Sequence, residues 1–93
     1  MTLTILRISG AREVYELPAG ADVFAEIERL IDATCLDHVN LRDGRSMWVD
    51  DSGHVGQGKP ENPEATQLYH AVCRPGTTWT INGDVAITPE DWR

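Results

Sequence analysis

The sequence has a single lysine, Lys59; the other seven basic residues are arginines, and fifteen acids outweigh them to a formal charge of −7. Phosphate contacts need clustered Lys and Arg, so this shortage excludes direct nucleic-acid binding and adsorption to anionic lipid. The acids are scattered, with only Asp50-Asp51 and Glu90-Asp91 adjacent, so no row of carboxylates mimics a DNA backbone. No stretch approaches the roughly eighteen apolar residues of a membrane span. The opening MTLTILRISG has no basic leader ahead of an apolar run, so a soluble, cytoplasmic protein is expected. Cysteine is scarce. Cys35 and Cys73 are the two present, and in a reducing compartment they read as free thiols.

Recognisable catalytic apparatus is also lacking. None of Ser9, Ser46 and Ser52 lies in a nucleophile elbow, and Ser9 and Ser52 fall in turns, where serine is common. The Gly56/Gly58 loop is not followed by the Gly-Lys-Ser/Thr ending of a phosphate cradle. Asp50, Asp51 and His54 form a small acidic cluster with an imidazole, but Asp-Ser-Gly is first of all a turn. The reading is therefore of a non-enzymatic chain: no catalytic residue, no cofactor.

What is present is an alternation of short elements over 93 residues, which make one small domain, residues 1–93, whose core is limited by its size. Residues 2–8 and 12–17 read as strands around the Ser9-Gly10 turn, with Val14 and either Tyr15 or Leu17 facing inward. A helix follows at about 22–32, with Asp22 as its cap and Val23, Phe24, Ile27, Leu30 and Ile31 on one face. Residues 35–42 and 45–50 make a hairpin about Asp43-Gly44, a pair that suits a type I′ turn. In GKPENPEATQLYHAVCRPG, Asn62 caps a second helix, Pro63 occupies its first turn, and Ala65, Leu68, Tyr69 and Val72 form its apolar face. Pro75-Gly76 stops it. Residues 77–81 and 84–88 then pair about Asn82-Gly83. The expected fold is α+β, with a mainly antiparallel sheet, element order β-β-α-β-β-α-β-β, and both helices on one face.

One set of side chains has metal-ligand chemistry. Cys35, His38, His70 and Cys73 supply the two thiols and two imidazoles of a tetrahedral zinc site. The helix presents His70 and Cys73 on nearly one face, but a strand sends Cys35 and His38 to opposite faces. Structural roles are the simpler expectation, and zinc or small-ligand binding stands as the alternative. Trp48 and Trp79 suit packing on a sheet, whereas Trp92, near the end of the chain, either folds back or serves an interface.

The segments MWVDDSGH, GKPENPEATQLY and NGDVAIT resemble a small domain family of unknown function from actinobacteria and their phages. Gly58, Pro60, Asn62, Pro63, Ala65, Thr66, Leu68 and Tyr69 match its central block, and Gly83 and Asp84 its closing strand. Lys59 and Glu61 depart from it where the family more often has apolar residues. The preference for Arg over Lys fits the same GC-rich setting. The resemblance implies a fold and a genomic context, and no reaction. An accessory protein that binds a host protein is therefore expected, acting in the host cytoplasm if phage-encoded. Its expected surface is the exposed side of the second helix with the 54–61 loop: Lys59, Glu61, Gln67 and Trp92. A homodimer formed through open sheet edges is the third possibility.

Overall fold

The computed structural model describes residues 1–50 and 59–90 of the chain. Five strands and two helices follow in the order β1 (Thr2–Leu6), β2 (Arg12–Glu16), α1 (Val23–Ile31), β3 (Leu36–Asn40), β4 (Ser46–Asp50), α2 (Pro63–Val72) and β5 (Val85–Thr88). All four pairings are antiparallel, in the spatial order β2-β1-β5-β4-β3. The fold is α+β. Each hairpin places one strand at an edge, and β5 fills the slot between them.

The two hairpins turn in the same way. Arg7 N–H donates to the Ala11 carbonyl at 2.9 Å and Gly10 N–H to the Arg7 carbonyl at 2.9 Å; Leu41 N–H donates to Arg45 at 2.8 Å and Gly44 N–H to Leu41 at 3.1 Å. Only the glycine of each turn has a positive φ, near +90°. This is a three-residue loop with the last residue left-handed, so the type I′ turn expected at Asp43-Gly44 is not the one used: Asp43 stays in the ordinary region.

The helices lie on opposite faces of the sheet, which corrects the expectation of a single helical layer. Leu3, Ile5, Trp48 and Ala86 pack with Ile27 and Ile31 of α1. The intervening residues Leu6, Met47, Val49, Val85 and Ile87 pack with Ala65, Leu68 and Tyr69 on the other side. Alternation of side chains along each strand forces this division once both faces are covered. Its signature is in the sequence: Met47-Trp48-Val49 and Val85-Ala86-Ile87 are unbroken apolar runs, as strands buried on both faces require. The edge strand β2 shows the opposite pattern. Val14 lies 62 % exposed, and Tyr15 and Leu17 are its inward residues.

Residues 77–81 form no strand. This segment runs beside α2, where Ile81 is buried in the α2-side core and Asn82 bridges to Glu61. A sixth strand has no slot, because both edges of β5 are already taken by β1 and β4.

Candidate functional site

The dense segment around α2 is explained residue by residue as a docking device. Asn62 is fully buried and uses its whole amide. Its Oδ1 accepts from Ala65 N–H at 3.1 Å, capping α2, while Nδ2 donates to the carbonyls of Leu6 at 3.0 Å and Gly83 at 3.1 Å. The Asn62 N–H donates to Ile81, and Gly83 N–H donates to Pro60, both at 2.8 Å. Thr66 completes the seam: its hydroxyl accepts from Ile81 N–H at 3.0 Å and lies 3.3 Å from the Ile81 carbonyl. Gly83 sits at φ +86°, and a Cβ there would meet Lys59 Cδ at 2.9 Å. No other residue fits that position without strain.

Two polar clusters tie α1 to the sheet. Lys59 Nζ donates to Asp50 Oδ2 at 2.7 Å and to the Asp32 carbonyl at 2.8 Å, just past the end of α1, where Asp32 adopts the left-handed conformation. Arg7 reaches the Leu30 carbonyl (2.7 Å), Asp84 (2.8 Å) and Glu13 (2.7 Å). Asp84 also accepts from Ile8 N–H at 2.9 Å, and Glu13 from the Tyr15 hydroxyl at 2.7 Å.

The Arg7 hydrogen bond, and after it the Tyr15 hydroxyl, hold the Glu13 carboxyl below its usual range. A depressed carboxylate stabilises the folded state fully above the unfolded pKa and loses that contribution as pH falls through the folded one. The melting temperature is therefore expected to fall on acidification below about pH 4.5. Glu13→Gln should flatten part of that fall in a pH series of thermal melts. Glu13 is partly exposed, so the change is modest.

A cleft opens on the other side of the sheet. Trp79 is 58 % exposed and stands over a cavity of about 230 Å³ lined by Asp37, Val39, Val49, Tyr69 and Ile81. The floor is the α2 side of β3 and β4, and the walls are α2 and the 77–81 segment. His70 fixes that segment: its Nε2 lies 2.6 Å from the Trp79 carbonyl, so the ring N–H donates there. Hydrogen bonding to Cys73, burial and the negative charge of Asp37 all push the Tyr69 phenol up, so it remains a neutral hydrogen-bond donor at physiological pH.

Of the residues expected on a partner surface, Lys59, Glu61 and Gln67 do not line this cleft. Lys59 is committed to Asp50 and Asp32; Glu61 and Gln67 are exposed on the α2 layer; Trp92 lies outside the described residues, as do Asp51, His54 and the loop to Gly58. The zinc set is not assembled. His38 stacks on Trp48, centroids 4.9 Å apart, on the α1 face, whereas His70 is on α2 across the sheet. Cys35 and Cys73 are free thiols, exposed and half-buried respectively. Among the described residues no group of three or more His, Cys, Asp or Glu is placed to hold a metal ion. Nor, among them, is any helix long and apolar enough to cross a membrane. The sequence reads 77–81 as a strand and so puts Trp79 in sheet packing; no short-range signal marks it as a wall of the cleft.

The described residues thus form a three-layer α+β domain with an aromatic-lined cleft at the β3 side. Compared with protein-family models, curated proteins and solved structures, the chain matches none.

Proposed function

We propose that this chain is a non-enzymatic accessory protein of phage type that binds and modulates a host actinobacterial protein. Its contact is centred on the Trp79 cleft. The observation that carries the reading is the exposed Trp79 itself, held by His70 above an apolar floor. Tryptophan, with Tyr and Arg, is enriched among the residues that dominate binding energy at protein interfaces. The residues with most chemistry in them are spoken for. Arg7, Asp84, Lys59, Asp50 and Asn62 each hold one element of the fold to another. The family block supports the same view, since Asn62, Thr66, Gly83 and Asp84 serve the seam between α2 and β5. Lys59 leaves the proposed surface; Glu61 and Gln67 remain at its periphery.

Expression in an actinobacterial host tests this. Growth is expected to slow, and Trp79→Ser is expected to abolish the effect while the variant stays folded by circular dichroism. Loss of such an anchor costs about 2 kcal/mol or more, roughly thirtyfold in partner affinity. Unaltered growth with the wild-type protein, or full potency of Trp79→Ser, rejects the reading.

A further inference from the structure

We infer that the partner docks as an extended segment added to the outer edge of β3, with a Lys or Arg side chain seated in the Trp79 cleft. This deepens the proposed function and rests on it.

The edge itself is the first observation. Strand β3 is outermost among the described strands, and Asp37 is its one charged residue. The other edge strand, β2, carries Arg12, Glu13 and Glu16. In the β3–β4 ladder Leu41 exchanges with Arg45, so by alternation Asp37 and Val39 bond inward to β4. The N–H and carbonyl groups of Leu36, His38 and Asn40 then point outward. The fate of His38 N–H confirms this parity: it donates to the Asp37 carboxylate at 2.8 Å and not to β4.

That hydrogen bond is a placeholder. An incoming strand offers a carbonyl to His38 N–H in its place, and the Asp37 carboxylate is released toward the cleft, where it is the one charged lining residue among the described residues. One acceptor replaces another, so no buried donor is left unsatisfied. The released carboxylate calls for a cation. Trp79 and Tyr69 line the same cleft, and an ammonium or guanidinium over an aromatic ring is attracted by its π-face. The net charge of −7 adds a long-range pull on a basic segment and opposes a second copy of this chain. At about 230 Å³ the cavity falls below the roughly 300 Å³ at which small-molecule sites begin, and it suits one long side chain.

The opposite face fixes the pattern of the partner. Residues of an added strand that alternate with the cation fall beside His38 and the exposed Phe24, both in contact with Trp48. The segment recognised is therefore apolar–basic–apolar–basic, a case of strand addition in which backbone bonds give affinity and alternate pockets give specificity.

The probe is an acetylated, amidated octapeptide of alternating Val and Lys, compared with the same peptide bearing Glu for Lys. The Lys peptide is expected to bind about tenfold more tightly in calorimetry, and most of that preference should be lost in Asp37→Asn, leaving the part due to net charge that salt screens. On binding, amide exchange at Leu36, His38 and Asn40 is expected to slow about tenfold, with β2 unchanged. Equal binding of the two peptides, protection at β2, or a β3-to-β3 dimer in sedimentation would each overturn the inference. If Trp79→Ser abolishes the growth effect while the peptides show no pairing at β3, the accessory function stands and strand addition falls.

Discussion

Replacing Asn62 by Ala is expected to destabilise the protein by about 3 kcal/mol, the largest loss of any single polar substitution. The sum has two parts. Losing an Asn cap costs about 1 kcal/mol, and each of the two side-chain hydrogen bonds to a buried carbonyl contributes about 1 kcal/mol. The two carbonyls are those of Leu6, at the end of a central strand, and Gly83, at the entry to β5. A domain of this size has a total stability of about 5–14 kcal/mol, so the loss is a large share of it. Thermal melting should drop by about 15 °C. Asn62→Asp separates the cap from the clamp. The carboxylate still accepts from Ala65 N–H, but it sets an oxygen against the carbonyls at 3.0 and 3.1 Å. It should therefore be at least as damaging at neutral pH, with partial recovery on acidification as the carboxyl gains a proton to donate. If Asn62→Asp melts like wild type at pH 7, Asn62 serves as a cap alone.

The second large effect is at Lys59. Asp50 is 4 % exposed, and Lys59 supplies its 2.7 Å ion pair. Truncating one partner of a buried pair leaves the other charge less compensated and costs up to about 3–5 kcal/mol. The Lys59 side chain is 25 % exposed, so water screens part of that, and Lys59→Met is expected to cost about 2 kcal/mol. The loss should be seen equally in chemical denaturation and in loosening of the α1 end, where Asp32 loses its donor. The double variant Lys59→Met/Asp50→Asn should recover about half, because no net charge is then buried. A Lys59→Met variant that is as stable as wild type but fails to slow host growth would return Lys59 to the binding surface, where sequence reasoning first put it.

The local grammar of this chain is legible in its sequence. Asp22 and Asn62 cap the helices at the positions their side chains predict, because each cap needs only a neighbour three residues on. The α+β class and both hairpins of the sheet follow from turn glycines and apolar spacing. Turn geometry is less legible: Asp43-Gly44 satisfies two turn types, and the strand register, with Leu41 opposite Arg45, selects the three-residue one.

What tertiary structure decided is where those elements go. Insertion of β5 between β1 and β4 left residues 77–81 without a partner strand and turned them into the wall that carries Trp79. The same insertion made β4 and β5 central, buried on both faces, and so put one helix on each side. His38 and His70 were separated by that choice, since a sheet now stands between them. Sequence determines contacts that span a few residues, because local geometry fixes them alone. The cleft joins residues 37, 69 and 79. Their meeting depends on strand order, a property of the whole chain that no short window contains.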